Sequence, residues 1–490
     1  MTFFADQTDH TASPAAPNYD RSALTTGIVH FGLGNFHRAH QAMYLDRLME
    51  RGEALDWAIC GVGVMPADVR MRDALAAQNN LYTLVLKHAD GTLEPRVIGS
   101  IHQYLYAPDD PEKVLATLAN PATRIVELTV TEGGYNIDRA TGEFDLTNPD
   151  IVHDLGTVEH PLTVFGLVVE GLRRRRDAGV EPFTIMSCDN IQGNGHVARQ
   201  TFGAFAEAKD PELASWITTH VSFPNSMVDR ITPVTTEADR SLVTERFAIN
   251  DQWPVMAEPF VQWVLEDDFT LGRPAYEEVG VQMVSDVEPY ELMKLRLLNA
   301  SHQAMAYFGY LLGHRYAHEA ATDPFIVELL RRYMDDEATP TLSPVPGIDL
   351  AVYKATLLER FANPEIRDTL ARLCQDSSDR IPKWLIPVVR SNIDNGGQTL
   401  LSAAIIASWA RYAEGVDELG EPIDVVDPLA SSLIPLANTY PQNPLGFLQN
   451  ERVFGDLASH PVVAGQYAEA LRVLHEQGAQ AALTQQLEHR

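Results

Sequence analysis

Two hydrophobic periods divide this chain, and the point where one gives way to the other constrains the fold most. Up to about residue 287, short apolar runs bounded by turn residues recur at 28–31, 57–64, 82–86, 125–130 and 183–186. Their length and boundaries predict strands. Between several of them lie amphipathic segments of helical length, at 40–49, 111–118 and 164–175. Strand alternating with helix predicts an α/β domain on a largely parallel, doubly wound sheet. From about residue 288 the alternation stops. Segments 289–312, 324–334, 350–360, 364–374, 399–413, 429–437 and 462–477 all carry helical spacing, with scarcely a strand signal among them. The expected organisation is therefore an α/β domain over residues 1–287 followed by a mostly α-helical domain over 288–490. The first 18 or so residues, polar with Pro14 and Pro17, read as an arm laid over a domain.

Charge and cysteine content exclude several classes of function. Lys and Arg number 37 against 67 Asp and Glu, a formal charge of −30 that repels phosphate backbones and anionic membrane surfaces. Nucleic acid is not expected as a partner. The basic run Arg173–Arg176 falls where a helix ends before Gly179, and cations are favoured at that end of the dipole. No segment reaches the roughly 18 apolar residues of a membrane span, and the most apolar stretch, 400–410, reads as a buried helix. Cys60, Cys188 and Cys374 are odd in number and far apart, so they form neither a disulfide framework nor a CxxC zinc site. A cytoplasmic protein is expected, since MTFFADQTDH lacks the basic start and apolar run of a signal peptide. No exposed apolar helix demands a partner.

The segment from Gly27 to Arg38, GIVHFGLGNFHR, sets a glycine pair directly after an apolar run and before a helix. Gly32 permits a tight turn, and Gly34 lets backbone approach a pyrophosphate stabilised at the helix start. The usual third glycine is replaced by His37. A carboxylate after the second strand normally accepts from the adenosine ribose and repels a 2′-phosphate. Here the candidate is Asp68, which favours NAD, and which also reads as a helix N-cap.

Two stretches gather more polar groups than packing needs. One is 183–190, FTIMSCDN, an apolar strand whose carboxyl end carries Ser187, Asp189 and Asn190. The other is 289–302, PYELMKLRLLNASH. At 100° per residue, Glu291, Lys294 and His302 fall within an arc of about 80°, with Asn299 at its edge. Oxidising an alcohol requires a base for the hydroxyl proton and donors for the developing alkoxide. Lys294 serves as the base if its reference pKa of about 10.4 falls. Asn190 and Asn299 then donate to the oxygen without a metal, and Glu291 passes the proton towards solvent. An amphipathic helix carrying a Glu–Lys pair is the plain structural alternative. Cys188 has no activating base nearby and does not read as a nucleophile. His314 and His318, spaced i, i+4 beside Glu319, lack a third ligand, so no metal is expected.

The motifs GLGNFHRAHQAMYLD, TVTEGGYNID, MSCDNIQGNG, FPNSMVDRITP, EPFVQWVLED and YELMKLRLLNASH followed by TDPF together resemble the polyol-specific long-chain dehydrogenase/reductase family, from about residue 25 to at least 390. The resemblance implies a monomer with a Rossmann-type domain, a mostly α-helical C-terminal domain and a site in the cleft between them. It implies metal-independent, NAD-dependent interconversion of a polyol and its ketose, D-mannitol and D-fructose first, D-arabinitol next. Lys294 is similar to the family's general base, Asn190 and Asn299 to its oxyanion pair, and Glu291 to its relay carboxylate. His302, Asp229, Arg372 and Arg380 correspond to substrate contacts, with Arg380 standing where lysine is usual. Gly32, Gly34, Phe36, His37, Arg38, Asp68, Glu132 and Asn190 correspond to the cofactor side, and for Glu132 a loop-anchoring role is the alternative. A hexuronate reductase of the same family is the runner-up, with Arg372, Arg380 or Lys383 meeting the extra carboxylate. A non-catalytic dinucleotide-binding module is the reading from another class.

Overall fold

Alternate residues of strand β1 (Thr26–Phe31) feed two different cores: Val29 and Phe31 enter one, Ile28 the other. That period of two places β1 in a sheet covered on both faces. The computed structural model describes residues 14, 16–138, 141–157 and 159–488. Most of the expected N-terminal arm, residues 1–13 and 15, lies outside the described residues. Two compact units are formed, Met1–Glu288 and Pro289–Arg490.

The first unit's strands are β1, β2 (Ala58–Gly63), β3 (Tyr82–Lys87), β4 (Leu93–Ile98), β5 (Ile101–Tyr106), β6 (Ile125–Leu128), β7 (Thr184–Ser187), β8 (Ser226–Asp229), β9 (Val255–Ala257), β10 (Gln262–Glu266) and β11 (Gln282–Val284). The central sheet has the order β5-β2-β1-β6-β7 and is parallel throughout. Helices Pro111–Ala119, Val164–Asp177 and Asn194–Lys209 supply the core on one face, and Gln41–Met49 packs on the other. This is a doubly wound, Rossmann-type sheet. From β1 the chain builds outward through β2 and β5 and then returns to β6, so the order reverses between β1 and β6. Ligands bind outside the carboxyl ends of the strands at such a point.

Several elements differ from the sequence expectation. The run at 82–86 forms β3, but it pairs antiparallel with β4 and parallel with β9 in a separate three-stranded sheet. The short strands β8 to β11 carry too few alternating positions to stand out by pattern, and β5, at the edge of the main sheet, buries only Ile101 and Leu105 of its six residues. The basic run is not a simple solvated terminus: Arg175 is buried and donates to the carbonyls of Leu118, Asn120, Thr123 and Glu181.

The second unit is helical. Its most buried element, Leu400–Ala413, packs against Pro461–Glu488 and Ala300–Leu311. The expected helix at 364–374 is confined to Leu370–Leu373. Upstream of it, Asn363 Oδ1 accepts from Glu365 N–H, Arg367 takes a φ of +52°, and Tyr316 bridges Thr369. That bridge diverts the backbone from helical bonding. Among the described residues, no helix is long and apolar enough to cross a membrane.

Candidate active site

Gly32 closes β1 with a φ of +84°, and a Cβ there would lie 2.1 Å from the carbonyl oxygen of Thr129. Only glycine tolerates both constraints. At Gly34 a Cβ would meet nothing nearer than Gly32 O at 3.7 Å, so open space lies beside this backbone. That is the cradle a pyrophosphate requires, and the turn fits a dinucleotide. Two neighbours expected on the cofactor side are committed elsewhere through their side chains. Arg38 is buried and donates to Trp253 O at 2.5 Å and to Asn35 Oδ1 at 2.8 Å. His37 is buried against His30, with ring centroids 3.5 Å apart. Phe36 is half-buried and stacks on His40.

After β2, the Asp68 carboxylate accepts from Val64 N–H at 3.0 Å and Met65 N–H at 2.9 Å, both through Oδ2. The expected N-cap is not formed: the side chain makes no cap bond to the helix Val69–Ala77, and Oδ2 instead reaches back to the backbone in front of it, as the third residue of a capping box that starts at Met65. Gly63 makes room for this turn, since a Cβ there would sit 2.6 Å from that of Asp68.

The ends of β6 and β7 are joined by a buried carboxylate. Asp189 accepts from Val130 N–H at 3.1 Å, Thr131 N–H at 2.7 Å and the Tyr135 hydroxyl at 2.8 Å. Burial pushes its carboxyl up, while these bonds pull the other way. Thr131, β-branched, is held at a φ of +64°, a conformation costing roughly 1–3 kcal/mol. Asp189 therefore fixes the short helix Thr131–Gly134, which carries exposed Glu132, and is followed by exposed Asn190. Gly32, Asp68, Glu132 and Asn190 thus all follow carboxyl ends of the central sheet. Asp229 belongs to a different sheet, buried at the end of β8 opposite Gln262.

In the second unit the expected continuous helix is interrupted. Glu288–Met293 is α-helical, Lys294–Asn299 is a π-helix and Ala300–Leu311 is α-helical again. The widened turn is closed by Ala300 N–H donating to Leu295 O, five residues back. In an unbroken α-helix Glu291, Lys294, Asn299 and His302 would spread over roughly 140°. Absorbing one residue in the wide turn draws the four into roughly 80°. Asn299 moves from the edge of the arc onto the face of Lys294. Glu291, Lys294 and Asn299 are 7%, 7% and 6% exposed. Asn299 Oδ1 has no hydrogen-bond partner, so the fold does not consume this amide. His302 packs on Phe361, with ring centroids 4.3 Å apart.

Arg372 lies on Leu370–Leu373, exposed, and grips Asp368 with both Nε, at 2.6 Å, and Nη2. Arg380 donates to Leu373 O at 3.2 Å, beside it in the fold. His314 and His318 do not share a helix face, because the helix Ala317–Ala320 starts between them. His314 faces Asp323 and His318 stacks on Tyr316. The thiol of Cys188 is buried and pushed well above its ordinary value by that burial, as suits an inert cysteine.

The structure also gathers residues that the sequence reading missed. Thr131 and Tyr135 are bound to Asp189. His30 and Glu127 form a buried pair beneath the Gly32 turn, with His30 Nδ1 3.1 Å from Glu127 Oε2. Their signal was available: a glutamate in the middle of the apolar run IVELTV is out of place unless a partner meets it.

Comparison with known proteins supplies the family. Residues 26–278 match the model of the mannitol dehydrogenase Rossmann domain, and residues 286–475 that of the mannitol dehydrogenase C-terminal domain. A mannitol 2-dehydrogenase of Cereibacter sphaeroides is 46% identical over 477 residues, covering 96% of this chain and 98% of the relative. One from Aspergillus fumigatus is 46% identical over 446 residues, 90% of this chain and 89% of the relative. Among solved structures, Pseudomonas fluorescens mannitol 2-dehydrogenase in ternary complex with NAD and D-mannitol is 46% identical, with a TM-score of 0.87 over 98% of this chain and 97% of that one. A D-sorbitol dehydrogenase in substrate-free form is 39% identical, with a TM-score of 0.91 over 97% and 98%. On two domain models and full-length similarity, the chain belongs to the mannitol dehydrogenase family.

Proposed function

We propose that this NAD-dependent polyol dehydrogenase interconverts D-mannitol and D-fructose, with D-arabinitol as a further substrate. The observation that carries the reading is the α–π–α helix that draws Glu291, Lys294, Asn299 and His302 towards one face. NAD, when bound, supplies the hydride acceptor. Lys294, neutral, takes the hydroxyl proton as a general base. Asn190 and Asn299 donate side-chain N–H groups to the oxygen as charge develops on it, which stabilises an alkoxide without a metal. Glu291 carries the proton away. Asp229, His302, Arg372 and Arg380 grip the remaining hydroxyls. For Arg372 this means sharing its guanidinium with Asp368, whose pairing leaves Nη1 for a ligand. Cytoplasmic action belongs to the same proposal, supported by three cysteines that are all free and buried.

A panel of polyols followed at the NADH absorbance band tests the reading. D-Mannitol should give the highest kcat/KM. The D-sorbitol dehydrogenase likeness makes D-sorbitol the competing reading, and a higher kcat/KM for D-sorbitol would replace the proposal. Reduction of a hexuronate in preference to D-fructose would move the chain to the reductase alternative.

A further inference from the structure

Beneath the Gly32 turn lies a chain of hydrogen bonds, buried at Glu127 and His30 and half-buried at Thr129, that ends on the turn itself. The Thr129 hydroxyl donates to Gly32 O at 2.8 Å. His30 Nε2 lies 2.8 Å from the same hydroxyl oxygen, and His30 Nδ1 lies 3.1 Å from Glu127 Oε2. A hydroxyl has one proton, and here the Gly32 carbonyl takes it, since a carbonyl has none to give. At Thr129 the donor must therefore be His30 Nε2. With Nε2 protonated, a neutral His30 would turn the bare lone pair of Nδ1 on Glu127 Oε2. A proton must sit between those two atoms. His37 Nε2 approaches the same carboxylate oxygen at 3.4 Å.

We propose that Glu127, His30 and Thr129 are positioning residues: a proton-bearing relay that fixes the peptide plane after Gly32 and so sets the dinucleotide turn for the cofactor. The inference rests on the reading that this turn holds NAD. The relay holds its proton as an ion pair, carboxylate to imidazolium. Burial opposes charge on Glu127, but the hydrogen bond from His30 and the nearby His37 ring outweigh it and bring the carboxyl down to about 2. Burial, with His30 adjacent, lowers His37 to about 3 and keeps it neutral. The other titratable groups facing the pair are Asp189, Cys188 and Tyr276, and Arg38 faces His37. A metal is the competing occupant, because His30, His37 and Glu127 bring three donor atoms within 4.8 Å of one another. The two rings are stacked, however, with planes 25° apart. Their in-plane lone pairs run side by side and do not converge on one point, as ligation requires.

The test is NADH titration by fluorescence, with steady-state kinetics, on wild type, Thr129→Val and Thr129→Ser. Thr129→Val should raise the NADH dissociation constant and the KM for NAD about tenfold, with kcat changed less than about twofold. Thr129→Ser should bind as wild type does. Equal binding by Thr129→Val, or failure of Thr129→Ser to restore it, overturns the relay. Nitrogen-labelled histidine spectra near pH 7 provide a readout that does not depend on NAD. His30 should carry protons on both ring nitrogens in wild type, and on Nε2 alone in Glu127→Gln. An unprotonated Nδ1 in wild type, with no proton on Glu127, overturns the proposal. Wild type that binds no NADH, while its His30 spectrum is as expected, would fail the cofactor reading and leave the relay standing.

Discussion

The two units carry their candidate chemistry in opposite ways. In the first, Gly32, Asp68, Glu132 and Asn190 are spread over nearly 160 positions of chain and meet because parallel strands end side by side. Two of them are held by a neighbour from another strand, Thr129 under Gly32 and Asp189 under Thr131 and the Glu132 helix, while Asp68 ties down the turn of its own strand. In the second, four polar side chains lie within twelve residues of one helix, and a single widened turn aligns them. A sheet edge holds a cofactor by backbone and needs many small supports. A helix face presents a base and a donor at fixed spacing and needs one irregularity. The two should therefore respond differently to mutation: rate should be concentrated in the helix, and affinity spread over the sheet ends.

The sharpest test of that contrast is Lys294→Ala. Turnover should fall about 10⁴-fold or more, at or beyond the upper end for a general base, with NADH binding unchanged because the cofactor side lies on the other unit. A folded variant that keeps a tenth of wild-type turnover would move the base elsewhere, with His302 next in line. One step smaller is the loss of either asparagine. Asn299→Ala and Asn190→Ala should each lower kcat about 10²- to 10³-fold, the range for one oxyanion donor. If both serve one oxygen, the double variant should lose less than the product of the two losses. Strict multiplication would mean that the two asparagines act on different atoms, and the shared oxyanion hole would have to be abandoned.

How much of this was legible in the sequence follows from the same contrast. Helical spacing picked out Glu291, Lys294 and His302 because contiguous residues report their own geometry. The same arithmetic put Asn299 at the edge, because no composition rule marks a π-turn in LRLL. At the sheet ends the glycine pair was visible, since its requirement is local. The supports were not, because Thr129, Asp189 and Tyr135 become partners only when β1, β6 and β7 lie together. The helix expected at 364–374 failed for a related reason. Its amphipathic pattern is real, but the pairing of Tyr316 with Thr369 captures the backbone that it needs.

Buried carboxylates extend the comparison to stability. Glu127, in the sheet, is met by the Nδ1–H of His30, with His37 close by, and is held down at about 2. Glu337, in the second π-helix, Tyr333–Ala338, is equally buried but faces only neutral donors: Leu401 N–H at 2.6 Å, Ser402 N–H at 2.9 Å and the Ser402 hydroxyl. Burial pushes it from 4.5 up to about 7, against the pull of those bonds. A folded pKa above the unfolded value means that the folded state binds the proton more tightly. Stability from this group is therefore complete below about 4.5, declines as pH rises towards 7 and is flat beyond it. The decline amounts to roughly 3 kcal/mol at most, at about 1.36 kcal/mol per unit. Urea unfolding of wild type and Glu337→Gln between pH 5 and 8 should show the wild type losing stability relative to the variant. Parallel pH curves would mean that Glu337 stays ionised throughout.

The smallest expected effect tests whether one sheet-end residue does two jobs. Asp68 Oδ2 already caps the turn after β2 through Val64 and Met65 N–H. NAD preference is proposed to come from the charge of the same carboxylate. Like charges about 4 Å apart near a protein surface repel by roughly 1 to 4 kcal/mol. Removing the carboxylate should narrow the NAD over NADP ratio of kcat/KM by about tenfold to a hundredfold. Asp68→Ala removes both the charge and the two bonds to Val64 and Met65 N–H, and so also costs about 1 kcal/mol of stability. Asp68→Asn keeps an acceptor oxygen for the two N–H groups and removes only the charge. The two variants should therefore agree in cofactor preference and differ in thermal stability. If Asp68→Asn keeps the wild-type preference while Asp68→Ala loses it, the turn's shape selects the cofactor, and the charge does not.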